Sequence, residues 1–302
     1  MFAGIIVTIA FTALWYADPG RIAGFIRERA IDAVQLMFPR HALETRVLVV
    51  DIDALTLASR GSWPLPRSDL ARLASIITKS HASVIAFDIF FPGADRHSVR
   101  TLASEIAALS GDDRISRLLA DVPDTDAAFA KSLTGGPTVL GALAANGGKP
   151  FSVNMIRSEG VLDEQTAGVA EGIIEPYQPL ADAALGLGIL SLFGDEDGRI
   201  RRVPLIVSAA GTLAPGLTLE AARVAAGANI LSIDARRADA SFGSRSLPLQ
   251  EGGTMRIRWS DPAQWPARTI SAIDILDGTA ALERLAGAAV VIGTSSPEAG
   301  HC

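Results

Sequence analysis

Two patterns of hydrophobic residues recur along the chain: short continuous apolar runs, and longer segments in which apolar residues return with helical spacing. Continuous runs occur at "VLVVDID" from Val47, at "SVIAFDIFF" from Ser83 and at "AAVVIGTS" from Ala288. Such runs are typical of strands buried on both faces of a parallel sheet. Between the first two lies "WPLPRSDLARLASIITKS", which opens with prolines and carries a helical stripe that begins at Leu70 and Leu73. The pattern therefore predicts a β-α-β unit.

The rest of the chain adds helices and an antiparallel portion. Residues 95–134 read as a polar helical excursion, "PTVLGAL" as a short strand, and residues 145–172 as a glycine-rich loop or hairpin. The stretch "GILSLFGDEDGRIRRVPLIVSAAG" predicts two antiparallel strands joined by an acidic turn from Asp195 to Gly198. The stretches "LTLEAARVAAG" and "ISAIDILDG" predict helices, with the half-exposed strand "TMRIRWS" between them. We expect one α/β domain over residues 45–302, with a mostly parallel central sheet flanked by helices.

The first seventeen residues, "MFAGIIVTIAFTALWYA", carry no charged side chain. A helix of this length spans about 26 Å, at the short end for crossing a bilayer. Trp15 and Tyr16 stand where an aromatic belt at the membrane surface is expected. We therefore predict a transmembrane helix over 1–17 and a connecting helix over 18–44. A signal segment and a buried core helix are the alternatives for the first stretch.

Composition narrows the classes of function. The chain has 302 residues, of which 49% are hydrophobic, and a formal net charge of -6. This acidic balance argues against nucleic acid as a partner, and no basic run with interleaved aromatic residues opposes that conclusion. The one cysteine, Cys302, is the last residue, which excludes intramolecular disulfides and cysteine metal sites.

Three aspartates stand near the ends of predicted strands. Asp51 and Asp53 follow the first strand and Asp88 lies near the end of the second. Ligands bind at the carboxyl ends of parallel strands, so these carboxylates are candidates for a ligand site, with Arg67 as their counter-charge. The alternative is structural: Asp53 caps the short helix "ALTLAS", Asp88 fixes a turn, and Arg67 ties them together as a structural ion network.

Known catalytic and metal-binding patterns fail in this chain. The stretch "DIDALT" resembles the nucleophile loop of haloacid-dehalogenase phosphatases, but Leu55 stands where that loop has Thr or Val. The stretch "GALAANGGKP" has Leu143 in place of the first glycine of a phosphate loop and Pro150 in place of its Ser or Thr. The four histidines have no metal-ligand spacing. We expect no catalytic residues, no metal site and no cofactor.

Four stretches in order carry a resemblance to a known family. They are "VLVVDIDALTLASRGSWPLPRSDLARL", "ASVIAFDIFFPGADR", "LGILSLFGDEDGRIRRVPL" and "LAGAAVVIGTSSPEAG". Together they resemble the CHASE2 domain, a sensory module of bacterial membrane receptors. Its motifs are matched by Trp63 and Pro64 in the first stretch and by Asp197, Gly198 and Arg202 in the third, which we interpret as structural. Such domains often have an acidic residue where this chain has Gly93, a departure that weakens any site built there.

The resemblance implies a role for the chain. It implies that the domain lies on the extracytoplasmic side of a cell membrane, with a small-molecule or protein stimulus and a homodimer as further expectations. In this family the chain continues into membrane spans and a cytoplasmic output domain, a nucleotide cyclase, a histidine kinase or a Ser/Thr kinase. No such domain can be assigned here, so we expect the sensory portion of a receptor. The alternative is a stand-alone metal-dependent phosphatase that uses Asp51, Asp53 and Asp88.

Overall fold

The computed structural model describes residues 22–40, 46–152, 156–160, 167–192, 194 and 197–297, together with positions 5 and 12. Apart from positions 5 and 12, the predicted transmembrane segment 1–17 lies outside the described residues. The chain divides into two units, which are described separately. The first contains Met1–Leu43 and Arg258–Trp265, and the second contains Glu44–Ile257 and Pro266–Cys302.

The helices of the described residues are α1 (Ile22–Met37), α2 (Ala54–Arg60), α3 (Arg67–Lys79), α4 (Val99–Ser110), α5 (Arg114–Leu118), α6 (Thr125–Thr134), α7 (Gln178–Ala183), α8 (Leu217–Ala225), α9 (Trp265–Arg268) and α10 (Ala272–Asp277). The strands are β1 (Val47–Asp51), β2 (Val84–Phe90), β3 (Thr138–Ala145), β4 (Ile156–Glu159), β5 (Gly168–Ala170), β6 (Gly172–Ile174), β7 (Gly186–Ile189), β8 (Arg202–Pro204), β9 (Ile206–Ala209), β10 (Thr212–Pro215), β11 (Leu231–Asp234), β12 (Asp239–Phe242), β13 (Arg245–Pro248), β14 (Thr254–Arg256), β15 (Thr269–Ser271) and β16 (Ala289–Gly293). Short 3₁₀ turns occur at Glu251–Gly253, Pro262–Gln264 and Leu282–Leu285.

The second unit is built on a mostly parallel sheet, which confirms the predicted α/β class. Its parallel strands follow the order β15-β1-β16-β2-β3-β7. The last part of β3 pairs antiparallel with β6. Because β1 and β2 are separated by β16, the last strand in sequence completes the centre of the sheet. The first and last predicted strands therefore lie side by side.

One face of this sheet is covered by the main hydrophobic core. Leu70, Leu73 and Ile77 of α3 are buried there, as the helical stripe predicted. On the other face, α8 packs on β2, β3 and β7. Glycine permits this close approach, since a Cβ on Gly188 would lie 2.5 Å from the Cα of Leu217.

The prediction that the first strand is buried on both faces is wrong. Within β1, Leu48 and Val50 are buried, whereas Val47 and Val49 are 51% and 38% exposed. The strand β2, by contrast, is buried over its first four residues. The difference follows from the position of α8, which covers β2, β3 and β7 but makes no comparable contact with β1.

The predicted antiparallel pairing across the acidic turn is also wrong. The strand β7 joins the parallel sheet beside β3, and β8 pairs antiparallel with β14. All four residues of β7 are buried, as expected for a strand of a parallel sheet, whose faces are covered by helices such as α8. The second predicted turn is correct: Ala210 and Gly211, with φ of 48° and 79°, connect the antiparallel strands β9 and β10.

Two smaller sheets complete the second unit. One has the order β10-β9-β5 and the other the order β13-β12-β11-β4. The predicted loop or hairpin at 145–172 therefore contributes β4 and β5 to these two sheets, where each pairs parallel with a distant strand. A second hydrophobic core lies here, around Leu205, Leu219 and Phe242.

The first unit contains α1, in the range predicted for a connecting helix. Its end is fixed to the second segment of the unit, because the Trp259 backbone N–H donates to Gln35 Oε1 at 3.0 Å and Arg40 forms a bridge with Ser260. Within the part of the chain that the structure describes, no helix combines the length and apolar character needed to cross a membrane.

Candidate functional site

Two of the predicted aspartates lie on the same carboxyl edge of the parallel sheet, two strands apart. Asp51 ends β1 and is in register with Gly293, which ends β16. A Cβ on Gly293 would lie 3.6 Å from the Cβ of Asp88 and 3.9 Å from its Oδ2, so the glycine also adjoins Asp88. Asp51 and Asp88 therefore flank Gly293 on one face, with their Cα atoms about 10 Å apart across two strand spacings.

The carboxylate of Asp51 is held by the residues that follow β16. Its Oδ1 accepts a hydrogen bond from the Ser295 backbone N–H at 2.9 Å, and its Oδ2 accepts one from Ser295 Oγ at 2.6 Å. Thr294 adds a third link, because its Oγ1 donates to the carbonyl of Ile52 at 2.8 Å. These bonds fix the segment after β16 across the end of β1.

Asp88 differs from Asp51, because among the described residues no hydrogen-bond or ion-pair partner is present for its side chain. The residue as a whole is exposed, but the protein around its carboxyl group raises the pKa of Asp88 by desolvation. Within the described part of this edge, Asp88 is thus a carboxylate whose oxygens keep their capacity to accept hydrogen bonds.

Asp53 is a helix cap, as the structural alternative predicted. Its side chain accepts hydrogen bonds from the backbone N–H and the Oγ1 of Thr56, both at 2.8 Å, at the start of α2. Burial raises the pKa of Asp53, but the hydrogen bonds from Thr56 and Ser271 outweigh it and leave the pKa below its usual value. The Thr56 hydroxyl also accepts a bond from the Ile273 N–H at 3.1 Å, which ties α2 to α10.

Arg67 is not the counter-charge of these aspartates, which corrects the sequence-based expectation. Its Nε lies 3.3 Å from Asp126 Oδ1, and its Nη2 donates to the Gly93 carbonyl at 3.0 Å. The guanidinium stacks on Phe91, 4.2 Å from the ring centroid, with Phe129 at 5.7 Å. The side chain therefore points to the segment after β2 and to α6, so the alternative of an ion network that ties Arg67 to Asp53 and Asp88 is wrong as well.

Two buried aspartates complete the surroundings of Arg67. Asp126 Oδ2 accepts a hydrogen bond from the Asp95 backbone N–H at 2.8 Å, and Asp95 Oδ2 accepts one from Thr125 Oγ1 at 2.8 Å. Burial lowers the pKa of Arg67, while Asp126 and Asp95 oppose that shift. We name Arg67, Asp95 and Asp126 the arginine cluster.

The motif residues from the two most specific stretches take part in core packing, a turn and an ion pair. Trp63 packs on the main core and is joined to the exposed Pro64 by a cis peptide bond. Gly198 has a φ of 73°, a conformation that favours glycine. Asp197 forms a bidentate pair with the buried Arg201, with both N–O distances at 2.8 Å. Arg202 lies in β8, in register with Arg256.

The family comparison decides the identity of the domain. The family model of the CHASE2 domain matches residues 5–301, nearly the whole chain. The chain belongs to the CHASE2 domain family. No curated protein and no solved structure matches the chain.

CHASE2 is a sensory domain family found in membrane receptors, and two of the strand-end carboxylates have hydrogen-bond partners within the domain. Both oxygens of Asp51 accept hydrogen bonds from Ser295, and the Asp53 carboxylate caps a helix. Within the described ranges, no group of three or more His, Cys, Asp or Glu residues is arranged to hold a metal ion. The carboxylate of Asp88, for which the described residues provide no partner, retains the capacity to accept hydrogen bonds.

Sequence reasoning missed the partners that decide these roles. Ser295 follows the apolar run of the last strand, and no pattern in the sequence indicates that its hydroxyl binds Asp51. Asp95 lay within a quoted stretch, but Asp126 did not stand out among the aspartates of residues 112–126. The buried pair Glu220 and Arg223 on α8 was also missed, although its three-residue spacing is a signal for an ion pair on a helix.

Proposed function

We propose that this CHASE2 domain is the extracytoplasmic sensory part of a membrane receptor, and that it binds a small molecule at the carboxyl edge of its parallel sheet. The observation that carries the site is the free carboxylate of Asp88 beside Gly293, opposite the fixed carboxylate of Asp51. Ligand sites in parallel sheets occur at this edge.

The chemistry of this edge favours a ligand with a positive charge or several hydroxyl groups. Asp88 presents two acceptor oxygens without a described partner, and the exposed Ser295 adds a hydroxyl beside Asp51. The absence of a side chain on Gly293 leaves room between the two carboxylates. A cationic or hydroxyl-rich molecule satisfies these acceptors, whereas an anion is repelled by them.

The role in signalling rests on the membership of the family. Binding at the strand ends would stabilise one of two arrangements of the domain, and the receptor would relay the difference to a cytoplasmic nucleotide cyclase or kinase. The uncharged segment 1–17 would serve as the membrane anchor and α1 as part of the connection. A homodimer would allow two such domains to move relative to each other.

Ligand binding is tested with the purified full chain. Melting temperatures are measured by thermal shift with a panel of amines and sugars, because a ligand that binds only the folded protein raises the melting temperature. Asp88→Asn and Gly293→Ala are expected to abolish the shift given by any active compound. Asp274→Asn, at an exposed position of α10, is the matched control and should keep the shift. A shift that persists in both edge variants places the ligand elsewhere and contradicts the site.

The topology is tested with reporter fusions in a bacterial host. Alkaline phosphatase fused after residue 100 should be active, because that enzyme requires an extracytoplasmic location. The same fusion without residues 1–21 should be inactive. A fluorescent reporter that works only in the cytoplasm, fused after residue 100 of the chain that keeps residues 1–21, should give no signal. Strong signal from the cytoplasmic reporter would refute the proposed location.

A further inference from the structure

The helix α1 of the first unit has a polar side that is half-buried and an apolar side that is exposed. Glu28, Asp32 and Gln35 lie on the half-buried side, where Gln35 Oε1 accepts the Trp259 N–H at 3.0 Å. These positions share one side because residues three and four apart are neighbours on a helix. A surface helix of a water-soluble protein has the opposite arrangement, with charged residues outside and apolar residues inside. The exposed side of α1 therefore calls for an apolar surrounding.

The exposed side is apolar over about half of the helix circumference, at about 100° per residue. Its large side chains are each at least 52% exposed: Phe25, Ile26, Val34, Leu36 and Met37. The small side chain of Ala33 lies on the same side and is exposed as well. We name these six residues the outer face of α1.

The other segment of the same unit exposes two tryptophans. Trp259 and Trp265 are 50% and 56% exposed. Tryptophan is enriched where a bilayer meets water, because its ring is apolar and its N–H can donate a hydrogen bond to headgroups or water. Both segments of the unit therefore present large apolar side chains of the kind found at a membrane surface.

The charged side chains of the first unit differ in exposure according to their sign. Among its described residues, the exposed ones are all arginines: Arg27, Arg29, Arg40 and Arg258. The acidic ones are half-buried: Glu28, Asp32 and Asp261. The Arg29 guanidinium lies over the Phe25 ring, 5.0 Å from its centroid, so a positive charge borders the outer face. The charge that this surface presents is therefore complementary to an anionic partner.

The position of α1 in the chain brings it close to the proposed anchor. The uncharged stretch ends at residue 17, and α1 begins at Ile22. The five residue steps between them span at most about 18 Å when fully extended. If residues 1–17 cross the membrane, as proposed above, α1 begins near the lipid headgroups.

We propose that the outer face of α1 lies on the lipid surface of the membrane, with its apolar side chains at the boundary of headgroups and acyl chains and its arginines beside anionic headgroups. The proposal rests on the anchor proposed above and adds the surface that the domain presents to the bilayer. A second copy of the chain is the competing occupant. It would bring arginines of both copies to one contact, and like charges oppose association, whereas an anionic lipid surface attracts them.

Nitroxide labelling of the full chain in phospholipid vesicles tests this placement. Cys302→Ser removes the native cysteine, and single labels are attached in Ala33→Cys, in Leu36→Cys and in the control Ser244→Cys, an exposed turn position of the second unit. Electron paramagnetic resonance compares collisions with oxygen, which concentrates in lipid, and with a nickel complex, which stays in water. We expect the oxygen-to-nickel ratio at positions 33 and 36 to be at least about threefold that at 244, as for a helix whose apolar face enters the headgroup region.

The other outcomes overturn the proposal. Equal ratios at positions 33, 36 and 244 place the helix in water. Low access to both reagents shows contact with protein instead of lipid, and broadening of the spectrum by a second nitroxide identifies a second copy as the occupant. In these cases the chain still floats with the vesicles in a density gradient, so the anchor stands. A chain that does not float refutes the anchor and this placement together.

Charge reversal tests the role of the arginines. The measurement at position 36 is repeated in vesicles with and without phosphatidylglycerol, an anionic lipid. We expect a ratio about twofold higher with the anionic lipid, and we expect the double variant Arg27→Glu/Arg29→Glu to lose this difference. Arg245→Glu, at an exposed position of β13, is the matched control and should keep it. The same ratio in both kinds of vesicle, or an unchanged difference in the double variant, contradicts attraction of the lipid by these arginines.

Discussion

The two regions next to β2 use aspartates in opposite ways. At the carboxyl edge of the sheet, Asp88 is exposed without a described partner and Asp51 is held by a neutral serine. In the arginine cluster, two buried aspartates surround one buried guanidinium. The edge is therefore a surface that can accept a ligand with little cost to the fold, whereas the cluster is part of the fold. On our proposal, the same residue type has a recognition role at the edge and a stabilising role in the cluster, depending on burial and partners.

The largest effect should come from removing the cation of the cluster. Arg67→Ala leaves Asp95 and Asp126 buried without a compensating charge, and breaking a buried pair in this way costs about 3–5 kcal/mol. The free energy of unfolding, measured by urea denaturation of the full chain, should fall by this amount at neutral pH. The loss should be smaller in acid, where the aspartates are protonated.

Arg114→Ala provides the control for that comparison. Arg114 is 80% exposed in its side chain and paired with Asp112 on the surface. Its removal should change the unfolding free energy by less than about 0.5 kcal/mol. Equal effects of Arg67→Ala and Arg114→Ala would show that the cluster does not stabilise the fold.

A smaller effect is expected at the cap beside the edge. Asp53→Ala removes the acceptor for the Thr56 N–H and should reduce the unfolding free energy by about 1 kcal/mol, while Asp53→Asn should cost less because asparagine also caps helices. The lowered pKa of Asp53 means that its contribution is present above the ordinary aspartate pKa and is lost as the pH falls through the folded-state value.

The pH dependence therefore distinguishes the two regions. Urea denaturation at several acidic pH values should show the cost of Asp53→Ala shrinking as the pH falls. Asp126 has a raised pKa, so its contribution is present at low pH and is lost as the pH rises through the folded-state value. A cost of Asp53→Ala that grows in acid would contradict the assignment of Asp53 as an ionised cap.

The smallest effect should come from Asp88. Asp88→Asn removes a charge that has no described partner. Without ligand, the free energy of unfolding should therefore change by no more than a typical surface substitution changes it, about 0.5 kcal/mol, and the melting temperature should change little. A calorimetric scan of wild type and variant checks this. A loss comparable to that of Arg67→Ala would show that Asp88 belongs to the fold and not to a recognition surface.

The apolar pattern of the sequence was enough to predict the strands β1, β2 and β16, the stripe of α3 and the α/β class. These features depend on local spacing, because burying a face requires apolar residues at fixed intervals. The Asp53 cap was also readable as an alternative, since a cap and its helix are neighbours in the chain. Membership of the CHASE2 family was readable from four stretches in order.

Long-range partners were decided by the tertiary structure alone. Whether Arg67 turns to the strand-end aspartates or to Asp126 depends on the packing of α3 against α6, which brings together residues far apart in sequence. The register of β1 with β16 likewise brings Ser295 to Asp51 across 244 positions. Spacing along the chain determines which side chains can contact each other within one helix or strand. The partner of a charged group on another element depends on which elements pack together, and that is set by the tertiary structure.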